Sequence, residues 1–228
     1  LEQREYTCAF SPVCALCLTQ NSFSGAAWAY SGDPDSIEIV TNWEAEYSHC
    51  RDVEKTPSRL YYNRNNIVSC WGNGAKGRKG AKPISWFKLL LLDDEDVPSD
   101  IAASYQFREA KKLQQAMGKN AVELAGDYLR KIWEHTLLSI ERAVGRELMG
   151  QCSFHVTITV PAVWPPYAHH RVRKAISYAG IPTLRDGRNV SFGLITEPEA
   201  AALATIKDMG KRSNVKVRQN ASHGRGDQ

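Results

Sequence analysis

Between residues 154 and 205 the apolar positions switch repeatedly between a period of two and a helical period. The stretch therefore predicts a strand, a helix, a second strand and a second helix. In FHVTITVPA, Val156, Ile158 and Val160 alternate with His155, Thr157 and Thr159 until Pro161 removes a backbone donor and ends the ladder. The second strand, Val190 to Thr196, runs straight into Glu197-Pro198-Glu199 and the helical segment AAALATIKD. Glu197 thus stands where a strand gives way to a helix, the edge at which open α/β sheets place ligands. Strands joined through a helix are expected to be parallel, with a right-handed crossover.

Upstream, the strongest helical signal spans Ala121 to Leu148, where Val122, Ala125, Leu129, Ile132, Trp133, Ile140 and Val144 recur on one face. Arg130 and Glu134 are expected to pair on the polar side, and Gly126 costs the helix only about 1 kcal/mol. Ser99 suits the N-cap of a preceding helix from Asp100 to Met117, and Gly118 would end it. Strands are expected at Ala26 to Tyr30 and Ile37 to Trp43, joined through Ser31-Gly32-Asp33-Pro34, with shorter ones at Arg59 to Tyr62 and Ile67 to Trp71. Trp86 to Leu92 is too brief to type. The order implies an α/β fold with a mixed sheet flanked by helices. Its expected parts are an atypical N-terminal segment (1–20) forming the first strand, a lobe (21–210) with an irregular insertion at about 47–118, and a polar, aperiodic, disordered tail (211–228).

Composition narrows the class. With 43% apolar and 24% charged residues, the 228-residue chain reads as an ordinary soluble globular protein. A net charge of +4 and a pI near 8.7 are too mild to argue for nucleic acid without a recognised motif, and none is present. The longest apolar run falls far short of the roughly 20 residues of a membrane span. No secretory pattern opens the chain, so a cytoplasmic setting and reduced thiols are expected. The start at Leu1 is read as a removed segment or a fragment of a longer frame.

Several motifs carry competing readings. Glu197 precedes a proline suited to the first helical turn; its carboxylate could hold a metal-bound water, or simply complement the helix dipole. Gly72-Asn73-Gly74-Ala75-Lys76-Gly77-Arg78-Lys79 exposes backbone donors beside positive charge, but it lacks the Lys-Ser or Lys-Thr of a Walker loop and reads as a solvated basic loop. Cys14-Ala15-Leu16-Cys17 has no second pair at zinc spacing. His169 and His170 are adjacent and cannot share a helical face, which argues against joint metal ligation. The Arg225-Gly226-Asp227 tripeptide and the triplets at Asn189 and Asn220 read as chance without a secretion signal.

Taken together, VTITVPAVWPPYAHHRVRKAISYAGI and LITEPEAAALAT resemble the first lobe of the ATPase domain of the heat-shock-70 chaperones, within the actin and sugar-kinase superfamily. WFKLLLLDDEDVP and DYLRKIWEHTLLSIERA resemble its divergent twelve-type branch, and the likeness covers about residues 21 to 217. The resemblance implies a ribonuclease-H-like sheet, with ATP or ADP and magnesium bound between two lobes. It implies that Glu197 matches the acid near the metal and attacking water, Pro161 the proline that relays nucleotide state, Arg171 its nearby arginine, and Lys76 the lysine that orients the water. Client proteins and co-chaperones are the implied partners.

The family's first phosphate hairpin reads Asp-x-Gly-Thr-Thr-x-Ser-Gly, whereas the aligned residues here run from Leu18 to Gly25. Leu18 replaces the carboxylate and Gln20 the glycine; Ser22, Ser24 and Gly25 keep phosphate-compatible chemistry. The second phosphate hairpin is replaced by RQNASHGRGDQ. The expectation is a truncated, divergent first lobe with weak or absent ATPase activity. A non-catalytic interaction module is the alternative, and misread coding sequence at the two ends is a third reading.

Overall fold

The computed structural model describes residues 12–17, 22–43, 53–74, 82–183 and 190–223, with the backbone alone at 12–17 and 211–223. Its main sheet has the order β3-β2-β1-β8-β9, formed by Pro12–Cys17 (β1), Phe23–Tyr30 (β2), Asp33–Ile39 (β3), His155–Val160 (β8) and Ser191–Thr196 (β9). β1, β2 and β3 form an antiparallel meander, whereas β1, β8 and β9 are parallel, with Val13 opposite His155 and His155 opposite Ser191. The mixed sheet and the parallel late pair agree with the expected α/β class. Thr56–Pro57 (β4) pairs with the start of β2. Arg59–Tyr62 (β5), Val68–Trp71 (β6) and Ile84–Ser85 (β7) make a second small sheet of order β6-β5-β7.

In β8 Val156, Ile158 and Val160 are buried and His155 faces solvent, but the alternation holds only at the strand's start: Thr157 is half-buried and Thr159 is buried, so the end of the strand is covered on both faces. They join one core with Leu124, Ile132 and Ile140 of Ala121–Val144 (α3) and Val172 and Ile176 of Pro166–Ala179 (α5). An Asn120–Glu123 capping box starts α3. Gly126 is more than a tolerated weak point. A Cβ there would stand 2.5 Å from the Tyr178 ring and 2.9 Å from the Ala175 carbonyl, so its absence lets α5 approach α3 closely. Arg130, expected to pair with Glu134, donates to the Tyr178 (2.7 Å) and Ala179 (3.3 Å) carbonyls at the end of α5, and Glu134 accepts from Lys131 (3.0 Å). Carbonyls at a helix C-terminus attract a cation.

Other boundaries move for local reasons. β3 begins directly after a two-residue turn, because Tyr30 already pairs with Asp33; Val40 and Trp43 are buried beyond its end. The helix expected from Asp100 to Met117 is two: Ser99–Ala103 (α1) and Tyr105–Met117 (α2). Ser104 is extended between them, and its hydroxyl accepts from the Phe107 amide, so Ser104 and not Ser99 caps the longer helix. Gly118, at φ 63°, closes it. Gly145, at φ 86°, likewise ends α3 before the expected Leu148, and Arg146–Gln151 (α4) follows. The tail expected to lack structure from 211 is helical to His223, within Glu197–His223 (α6); no proline interrupts this run after Pro198, and no glycine between Gly210 and Gly224. Among the described residues no helix is long and apolar enough to cross a membrane.

Candidate functional site

Parallel strands β8 and β9 end side by side at Val160 and Thr196, and the next residue of each, Pro161 and Glu197, enters one cavity. This is the strand edge that the sequence pattern singles out. The cavity has a volume of about 560 Å³, and Ser22, Trp86, Lys88, Asp96, Pro161 and Glu197 are among its walls. Three expected residues, Ser22, Pro161 and Glu197, therefore meet although 139 and 36 positions separate them in turn along the chain.

Glu197 opens α6, with its side chain 32% exposed and its Oε1 buried without a hydrogen-bond partner. The Lys88 ammonium stands 3.8 Å from that oxygen, on a side chain only 8% exposed. Such a pair puts a cation and an acceptor-only oxygen on one cavity wall, a combination suited to an anion and its attacking or metal-bound water. Lys88 escaped the sequence reading, although a signal was present: a single charge inside Trp86-Phe87-Lys88-Leu89-Leu90-Leu91-Leu92 must be buried with a partner or must snorkel.

Trp86 sets up the turn that carries Lys88. Its φ of 61° is left-handed, which costs a bulky residue on the order of 1–3 kcal/mol. Its carbonyl accepts from the Leu89 amide at 3.0 Å, opening the short 3-10 turn Leu89–Leu91.

The remaining expected residues fall elsewhere. Ser24 is fully buried, its hydroxyl 2.8 Å from that of Ser58, and is not on the wall of this cavity. Gly25 is buried within β2, and a Cβ on it would come 3.0 Å from the Glu54 carbonyl, so backbone packing already accounts for the glycine. Arg171 lies outside the cavity wall but supports it. Its guanidinium donates to the Leu91 carbonyl and to Asp93 Oδ1, both at 2.8 Å, and stacks 4.6 Å over the Tyr167 ring. Tyr167 in turn donates to Asp96 and accepts from the Asp93 amide; burial, with the Asp96 hydrogen bond behind it, raises its phenol above the usual range. The first turns of α5 thereby clasp the acidic segment that follows Lys88. Lys76, Leu18 and Gln20 lie outside the described residues.

Among the described residues no three His, Cys, Asp or Glu side chains gather to hold a metal. The orphaned Glu197 oxygen fits a hydrated cation reached through water better than direct ligation.

No family model matches the chain. It is 25% identical to heat shock 70 kDa protein 12B of Homo sapiens over 203 residues, which is 86% of this chain and 28% of that protein. It is 24% identical to heat shock 70 kDa protein 12A of Homo sapiens and of Mus musculus over 191 residues, 79% of this chain and 26% of each. The chain thus spans little more than a quarter of these relatives' length. At this distance the similarity supports a heat-shock-70-like relationship over most of the chain.

Proposed function

We propose that this chain carries part of a heat-shock-70-like nucleotide site, with the phosphates of ATP or ADP received in the cavity at Glu197. The observation behind this reading is the meeting of Ser22, Lys88, Pro161 and Glu197 on one cavity wall at the ends of two parallel strands. Lys88 would place positive charge beside a terminal phosphate, and Ser22 would offer a hydroxyl and backbone at the mouth of β2. Glu197 would accept a hydrogen bond from water and orient it. Magnesium arriving with the nucleotide would neutralise phosphate charge, with Glu197 bonding to its water shell.

Turnover in this chain is expected to be slow or absent, because Leu18 offers no carboxylate. That substitution favours one second reading: a non-catalytic interaction module on the same scaffold. Client proteins or co-chaperones would be its partners.

Calorimetric titration of the chain with Mg-ATP and Mg-ADP distinguishes the two. Micromolar binding that disappears in Glu197→Ala supports the nucleotide site. Folded chain that takes up neither nucleotide sinks it and leaves the interaction module.

A further inference from the structure

Trp86 occupies a backbone state that its side chain does not favour. Among the described residues the other non-glycine positions at positive φ are Asn42 (56°) and Asn66 (57°), and asparagine tolerates this region. A glycine at 86 would make the same turn freely, so the turn alone gives no reason for an indole. Its surroundings do. Trp86 is half-buried and lines two cavities, the one of about 560 Å³ that holds Lys88 and Glu197 and a neighbour of about 370 Å³ between Arg59, Lys82 and Glu109. The same residue closes the turn onto the Leu89 amide, which sets where Lys88 leaves the backbone.

We propose that Trp86 is a positioning residue: its indole partitions the two cavities, and its left-handed backbone closes the turn that aims Lys88 at Glu197. Without the indole the two spaces merge, and the Lys88 ammonium loses the wall that holds it toward the carboxylate. The purpose of this arrangement rests on the nucleotide reading of the cavity. The arrangement itself is measurable without nucleotide.

The test is magnetic resonance of the full chain with isotope-labelled methyl groups on its lysines, the Lys88 signal being assigned through Lys88→Arg. In the unliganded protein Glu197→Gln shifts the Lys88 signal. Trp86→Phe keeps that response, while Trp86→Gly and Trp86→Asn, which both accept the backbone angle, lose more than half of it. An undiminished response in either of these two variants overturns the proposal, as does a Lys88 signal indifferent to Glu197→Gln in the otherwise natural chain. Two ring-deleting variants are used so that a folding failure in one leaves the other to decide. A chain that failed to bind Mg-ATP would still give this readout, which separates the positioning role from the nucleotide site.

Discussion

The Lys88 ammonium lies 3.8 Å from Glu197 Oε1, joining the turn after β7 to the first residue of α6. If the cavity receives phosphate, this cation is the group whose loss should matter most. Lys88→Met keeps the length and apolar stem, so Mg-ATP affinity should fall by about 10- to 100-fold, the worth of one charge-assisted contact. Glu197 is partly exposed and can turn to water, so the loss of this pair by itself should cost little stability. Calorimetric titration beside denaturant unfolding checks both, and unaltered affinity in a folded Lys88→Met chain would remove Lys88 from the site.

Gly126 makes the opposite of the usual helix argument. Alanine would improve helix propensity by about 1 kcal/mol, yet its methyl group would meet the Ala175 carbonyl and a Tyr178 ring held 5.3 Å from the Arg130 guanidinium. Backbone cannot give way cheaply, and overpacking costs about 1–3 kcal/mol. Gly126→Ala should therefore destabilise the chain by up to roughly 2 kcal/mol in urea unfolding. A gain in stability would show that α5 yields freely.

Lys88 and Gly126 lie beyond what local sequence pattern encodes. Glu197 and Pro161 could be placed at strand ends because alternation in FHVTITV and the Glu-Pro step are local signals, and the long helix announced itself through its stripe. Ser22 and Lys88 reach the same cavity through the β2 pairing and the second small sheet, which no local period encodes. Gly126 read as a mild defect because its cause lies in α5, some 50 positions away. Ser99 fitted a cap by local pattern alone, whereas the cap on the longer helix falls to Ser104, where the chain turns extended and the hydroxyl accepts from the Phe107 amide.

Asp127 is a buried carboxylate on α3 that the apolar stripe did not foretell. It accepts from Tyr62 at 2.9 Å and Lys119 at 2.7 Å, and Arg130 stands 3.5 Å away, so it ties β5 and the α2–α3 connection to the core helix. Asp127→Ala would strand the Lys119 ammonium, whose side chain is 15% exposed, without its acid. Breaking such a pair costs about 3–5 kcal/mol, whereas the solvent-screened pair Arg146–Glu141 contributes far less. Asp127→Asn keeps the acceptor for Tyr62 and should fall between. Urea midpoints of the three variants give the order directly, and equal midpoints for Asp127→Ala and Glu141→Ala would show that the burial contributes nothing.

Tyr128 and Tyr62 set an alkaline limit. Burial pushes the Tyr128 phenol up to about 12, with hydrogen bonds from Ser24 and Ser58 pulling weakly the other way. Burial also raises Tyr62, helped by the Asp127 charge and the hydrogen bond to it. Both folded values lie above the unfolded phenol, near about 10. The contribution of each group is therefore complete below about pH 10 and is lost as pH rises toward the folded value. For Tyr128 that loss is on the order of 2–3 kcal/mol by pH 12. Phenolate absorbance should therefore include a late fraction that appears together with loss of near-ultraviolet circular dichroism. Tyr128→Phe should move this cooperative step to higher pH, provided the chain still folds, and Tyr62→Phe should do so independently. Complete phenolate formation near pH 10 with the fold intact would show that neither ring is sealed from water.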